Sequence, residues 1–188
     1  DEYVFRLNRH PGRRVDVAVS QAEVPGGIVL DYLVSEAKPW TIYAQASNTG
    51  TKQTNEWRER IGFIDNQLTG HDDILSLDYI TSGFDGSSNA AVGSYEAPIP
   101  GLQRLRGRAY GSYSDFVASD VGQGQGSADR FNGNQTTVGG ELIANVGQHR
   151  DWFGDVFGGL CYEHIHTVNQ SVNTEGSADG ARPYVGAR

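Results

Sequence analysis

Hydrophobic and polar positions alternate along most of this chain, and the pattern changes character at Pro39. Residues 1–14 group Val4, Phe5 and Leu7 and then stop at Pro11-Gly12, which predicts the end of a helix. Residues 15–19 (VDVAV) alternate strictly, as a half-buried strand does. A Pro-Gly-Gly turn at 25–27 leads to a second strand at 28–35, and Lys38-Pro39 closes this small α/β lobe. Beyond it helical periodicity vanishes. Period-two runs at 40–48, 56–66, 73–82, 89–97, 103–114, 135–147 and 152–167 predict about seven strands, separated by Gly, Asn, Asp and Ser clusters. Many exceed the 5–6 residues usual in a soluble sheet and reach the roughly 9–11 that cross a bilayer at a tilt.

The connectors sharpen this picture. Those at 48–55, 82–88 and 115–134 are loose and polar, whereas those at 66–72, 98–101 and 148–151 are compact. In an up-and-down meander the alternate connectors share one end. Long loops at one end and short turns at the other are the asymmetry of outer-membrane barrels. The strand faces agree. Trp57, Ile61, Phe63, Leu75, Leu77, Tyr79, Leu105 and Leu142 fall on one face, with Glu59 the exception. Arg58, Arg60, Arg104, Arg106, Arg108 and Glu141 fall on the other, which suits a polar lumen. A soluble antiparallel sheet also alternates, so a soluble β-rich module stays open on pattern alone.

Composition narrows the classes. With 23 acidic and 15 basic residues the net charge is −8, which argues against nucleic acid as a partner. No apolar run reaches the roughly 18 residues of a membrane helix, a criterion that does not touch barrels. No methionine occurs, and no basic-then-apolar leader opens the chain, so it reads as processed or cut from something longer. The lone Cys161 reads as packing rather than as a nucleophile.

Candidate chemistry is sparse. His164 and His166 share a face without an evident third ligand, so no metal site is expected. The Gly-rich 122–126 (GQGQG) does not join a strand to a helix and reads as a loop, not a phosphate cradle. Asp72-Asp73 sits in a turn without a base partner, and no nucleophile-elbow motif occurs. Asn134-Gln135-Thr136 and Asn169-Gln170-Ser171 match the glycosylation pattern, which arises often by chance. No enzyme and no cofactor are expected.

Three stretches carry a family resemblance: 40–50 (WTIYAQASNTG), 56–63 (EWRERIGF) and 66–79 (NQLTGHDDILSLDY). They resemble the opening barrel strands of TpsB transporters, the two-partner secretion proteins of hemolysin-activator type within the outer-membrane protein 85 superfamily. The preceding Leu7-Asn8, Pro11, 15–19 and 28–37 resemble the end of the last periplasmic POTRA domain. The resemblance implies an all-β fold: part of an antiparallel up-and-down transmembrane β-barrel of about seven strands, preceded by a small α/β POTRA remnant. It places the C-terminal part of a POTRA domain at 1–38 and the N-terminal half of the barrel at 39–188. It also implies a Gram-negative outer-membrane location with the POTRA part in the periplasm, and export of a large hemolysin- or adhesin-type client. Outer-membrane lipid is then a partner. The family's loop with a Val-Arg-Gly-Tyr-type tip has no counterpart here. Family clients bind by strand addition to a POTRA edge, for which Phe5, Leu7, Val15, Val17 and Val19 are the candidates. A barrel-assembly insertase of the same superfamily is the rival within this fold. For the sheet itself, free edges are expected near Trp40 and Thr167.

Overall fold

The computed structural model describes residues 2–50, 55–83, 88–118 and 131–188. The Gly-rich stretch 122–126 and parts of the connectors at 48–55, 82–88 and 115–134 lie outside these residues. Among the described residues one short helix, α1 (Glu2–Leu7), precedes ten strands. They are β1 (Arg13–Gln21), β2 (Ile28–Glu36), β3 (Trp40–Ser47), β4 (Arg58–Asp65), β5 (Ile74–Thr81), β6 (Asn89–Ile99), β7 (Leu102–Ala118), β8 (Phe131–His149), β9 (Trp152–Asn169) and β10 (Thr174–Ala187).

β1 and β2 form a separate antiparallel pair, and β3 to β10 form one eight-stranded sheet in strict sequence order. The sheet does not close. Among the described residues the strands from Trp40 on all share this one sheet and are not divided between two packed sheets. Among the described residues, Val15 and Ile143 are the buried hydrophobic side chains. So large a sheet with so little apolar core among the described residues is what a part of a β-barrel wall shows.

The sheet has eight strands where about seven are expected, and the added one moves the free edge from the strand ending near Thr167 to β10. Residues 174–187 (TEGSADGARPYVGA) are mostly small or polar and contain Pro183, so they show no alternation of large apolar groups. The ladder with β9, Thr174↔Asn169 through Ala187↔Val156, makes them a strand regardless. The four-residue turn between β9 and β10 is also shorter than the other connectors at its end.

α1 and the β1–β2 pair sit at the end of the sheet that carries the compact turns. Pro39 CO accepts from Asn66 NH at 2.9 Å, and Gly12 CO accepts from Ala37 NH at 2.7 Å. Arg13 joins the two parts, donating to Glu36 at 2.9 Å and, through both terminal nitrogens, to Asp72.

Candidate functional site

Residues directly opposed in an antiparallel ladder share a face, and faces alternate along each strand. One row crosses all eight strands as Tyr43, Gly62, Asp78, Val92, Ser112, Thr137, Glu163 and Gly180. Stepping by two from this row brings Arg58, Arg60, Arg106, Arg108 and Glu141 onto the same face. Arg104 lines a cavity there together with Arg106.

That face carries a series of ion pairs and hydrogen bonds. Arg60 grips Asp78 with two hydrogen bonds of 2.8 Å, and Tyr43 OH donates to the same carboxylate at 2.5 Å. Arg106 donates to Glu96 at 2.6 Å. Arg108 donates to Glu141 at 3.3 Å; Tyr184 OH also donates to Glu141, and Tyr110 OH donates to Tyr184. Arg182 pairs with Glu163, which also accepts from Gln135 at 2.6 Å. Arg58 donates to Ser82 and to Asn55 CO.

Aromatic rings on the same face lie over glycines of the opposed strand. A methyl added to Gly62, Gly139 or Gly186 would sit 2.1, 2.3 or 2.4 Å from the ring of Tyr43, Tyr110 or Phe157. Each is a directly opposed pair. The glycines are needed for this close approach, not for backbone freedom.

The opposite face is apolar. One of its rows reads Ile42, Phe63, Leu77, Gly93, Gly111, Val138, Tyr162 and Ala181. Ile61 is 60% exposed and Leu142 55%, and Trp57, Leu77 and Tyr79 are similarly open. Phe63, Leu75 and Leu105 are half-buried on the same face. Aromatic residues bracket the band: Trp40 and Trp152 toward the lobe, Trp57, Tyr79, Tyr113 and Tyr162 toward the other end. Trp152 and Tyr162 are ten residues apart on β9, which is about 34 Å along the strand and about 26 Å along the normal at a tilt near 40°. An outer-membrane barrel presents an apolar band of about 25 Å between aromatic girdles. These girdles were readable as aromatics at both ends of the apolar parity, but only the pairing register aligns them across strands. Glu59 interrupts this face, its carboxylate buried without a partner among the described residues.

The candidate client edge on the lobe is only partly open. Val15 is 1% exposed, and Asn8 occupies its edge, accepting from Val15 NH and donating to Val15 CO. Main-chain groups of alternate residues point to the same edge, so Val17 and Val19 carry what remains of it. Phe5 and Leu7 are half-buried on α1.

Where lobe meets sheet, buried Asp155 gathers Arg9, Arg188 and Asn145. A bulge between Asn145 and Gly147 accompanies this contact. Asp73, fully buried, folds the turn at 66–73 by accepting from Thr69 NH and Oγ1. His164 pairs with Asp179, and no metal cluster occurs among the described residues.

Two titrating groups bear on the docking of the lobe. Burial holds the His10 imidazole below its ordinary value, opposed by Asp72 and reinforced by Arg13 and Arg106. The Arg13 hydrogen bonds hold Asp72 below the usual carboxylate range. An undocked His10 takes up a proton more readily, so docking weakens as pH falls below about 6.5. The Asp72 contribution persists at these pH values and is lost only in stronger acid, as pH falls through its depressed value. Between pH 7.5 and about 5.5 the Val15 amide is therefore expected to lose hydrogen-exchange protection through His10 alone. His10→Asn should flatten the change; unchanged protection in the unsubstituted protein would contradict it.

No protein-family model matches the chain. The heme/hemopexin transporter protein HuxB of Haemophilus influenzae is 29% identical over 101 residues, which is 54% of this chain and 18% of that protein. Among solved structures, CdiB from Escherichia coli superposes with a TM-score of 0.78 at 20% identity, over 97% of this chain and 34% of that one. CdiB from Acinetobacter baumannii gives 0.63 at 16% identity, over 97% of this chain and 38% of that one. BamA from Haemophilus ducreyi lacking POTRA domains 1–3 gives 0.59 at 14% identity, over 98% of this chain and 36% of that one. The chain thus spans about a third of these solved chains and under a fifth of the curated relative. The fold is a portion of an antiparallel outer-membrane-type β-barrel. The likeness expected from the three stretches quoted above is met in fold by the two CdiB chains and in sequence, over 54% of this chain, by HuxB.

Proposed function

We propose that this chain is part of an outer-membrane transporter of two-partner secretion, which exports a large hemolysin- or adhesin-type protein. In this reading residues 39–188 are the N-terminal half of the barrel, and 1–38 are the end of a periplasmic POTRA domain. The polar face, with Arg58, Arg60, Arg104, Arg106, Arg108 and Glu141, lines the lumen, and the apolar face meets outer-membrane lipid. The chain acts as a conduit and not as an enzyme. The observation that carries the reading is the pairing of a girdled apolar band with an ion-paired polar wall on one unclosed sheet.

The test is export. The intact gene, expressed in an outer-membrane host together with any large secreted-protein gene found adjacent to it, is expected to release that protein into the medium, and deletion of the transporter gene should stop release. Normal release without it would overturn the reading. The likeness to BamA favours a second reading, barrel assembly; two POTRA domains in the intact gene support secretion, five support assembly. Replacing Arg58, Arg60 and Arg108 by Ala in the intact protein is expected to change single-channel conductance while leaving the folded, heat-modifiable band on gels. The reverse pattern would place these arginines outside the lumen.

A further inference from the structure

A cavity of about 540 Å³ lies between α1 and the lobe-proximal end of the polar face. Its carboxylates are all engaged: Asp72 by Arg13, Glu96 by Arg106, and Asp155 by Arg9 and Arg188. Two guanidinium groups on its wall are left over. Arg104 has no partner among the described residues. Arg6 reaches Gln148 only at 3.4 Å, and its Nε is buried without an acceptor. His10, 8% exposed, also lines the cavity, and its Nε2 is buried without a partner. A buried donor left without an acceptor is unfavourable, so an occupant that satisfies it is favoured.

The chemistry of that occupant can be narrowed. Two unmatched positive groups select an anion. The cavity opens on the polar face, away from the apolar band, so a lipid headgroup is on the wrong side of the sheet. Tyr3, Leu7, Pro98 and Ile143 complete the wall, giving apolar surface that a free phosphate has no use for and a polypeptide does. A neutral Nε2 accepts a hydrogen bond, which a main-chain N–H supplies.

We propose that this cavity binds an extended polypeptide through an acidic side chain, with Arg6 and Arg104 as its charge partners and His10 Nε2 accepting from the neighbouring main chain. That the polypeptide is the exported partner rests on the function proposed above. The test uses the full-length protein in detergent micelles and fluorescence anisotropy of a short labelled Gly-Ser peptide. One version carries two aspartates, and the other carries asparagines in their place. The acidic peptide is expected to bind at least about tenfold more tightly. Arg104→Gln, on an exposed stretch of β7, should reduce the preference, and Arg104→Lys should retain most of it. The double change Arg6→Gln and Arg104→Gln should bring the two peptides within about twofold. Inorganic phosphate at matched concentration should leave the peptide bound. Equal affinity for both peptides, a preference that survives the double change, or displacement by phosphate would each overturn the proposal. Failure of export in cells would instead remove the transporter reading and leave this binding result standing.

Discussion

Leu142→Arg is expected to destabilise the membrane-embedded full-length protein by about 2–4 kcal/mol. Leu142 opposes Gly158 on β9, between the Trp152 and Tyr162 girdles, and so falls near the middle of the apolar band. An arginine there loses its hydration, and Gly107 and Gly158, which flank it in the ladder, offer it no side chain. The same arginine at Ser112, on the polar face, should have little effect. Denaturant unfolding from lipid vesicles measures both. A Leu142→Arg protein as stable as the Ser112→Arg protein would mean that the apolar face does not meet lipid.

A single methyl at Gly139 is the second large effect. It would sit 2.3 Å from the Tyr110 ring, so the ring must leave or β7 and β8 must separate. Tyr110 is tied to Tyr184, and Tyr184 to Glu141 and thence to Arg108, which blocks an easy retreat. Overpacking of this kind destabilises by about 1–3 kcal/mol. Gly140→Ala is the matched control, because its added carbon would stand 3.7 Å from the nearest atom. Removing the ring as well, in Tyr110→Ala with Gly139→Ala, should recover much of the loss. Equal stabilities for the two alanine variants would show that the ring does not lie over Gly139.

Much of this architecture is legible in the sequence, for a simple reason. A sheet with one apolar and one polar face must alternate, so runs such as 74–79 (ILSLDY) declare both strand and face. β10 escaped because Gly, Ala and Ser carry no such contrast; its ladder with β9 makes it a strand. β8 begins four residues before the expected start at 135, since Phe-Asn-Gly-Asn at 131–134 reads as a turn while pairing continues with 166–169. The aromatic–glycine pairs were invisible for a different reason: Tyr110 and Gly139 are far apart in sequence, and only the register joins them. The cavity was equally hidden, because Arg6 and His10 belong to the lobe and Arg104 to β7. Asn8 closing the β1 edge at Val15 depends on how α1 turns back, which local patterning does not specify.

In the proposed reading one face of this sheet meets water and the other lipid. Single cysteines at 137, 138, 141 and 142 of the full-length protein, with Cys161→Ser to clear the polar face, test it directly in native outer membranes. Thr137 and Glu141 share the polar face, and Val138 and Leu142 the apolar one. Cysteines at 137 and 141 are expected to react with a charged, water-soluble thiol reagent. Those at 138 and 142 are expected to resist it and, when fluorophore-labelled, to be quenched by brominated lipid. Uniform labelling at all four positions, or lipid quenching at 137 and 141, would mean that the two faces do not meet water and lipid in this way.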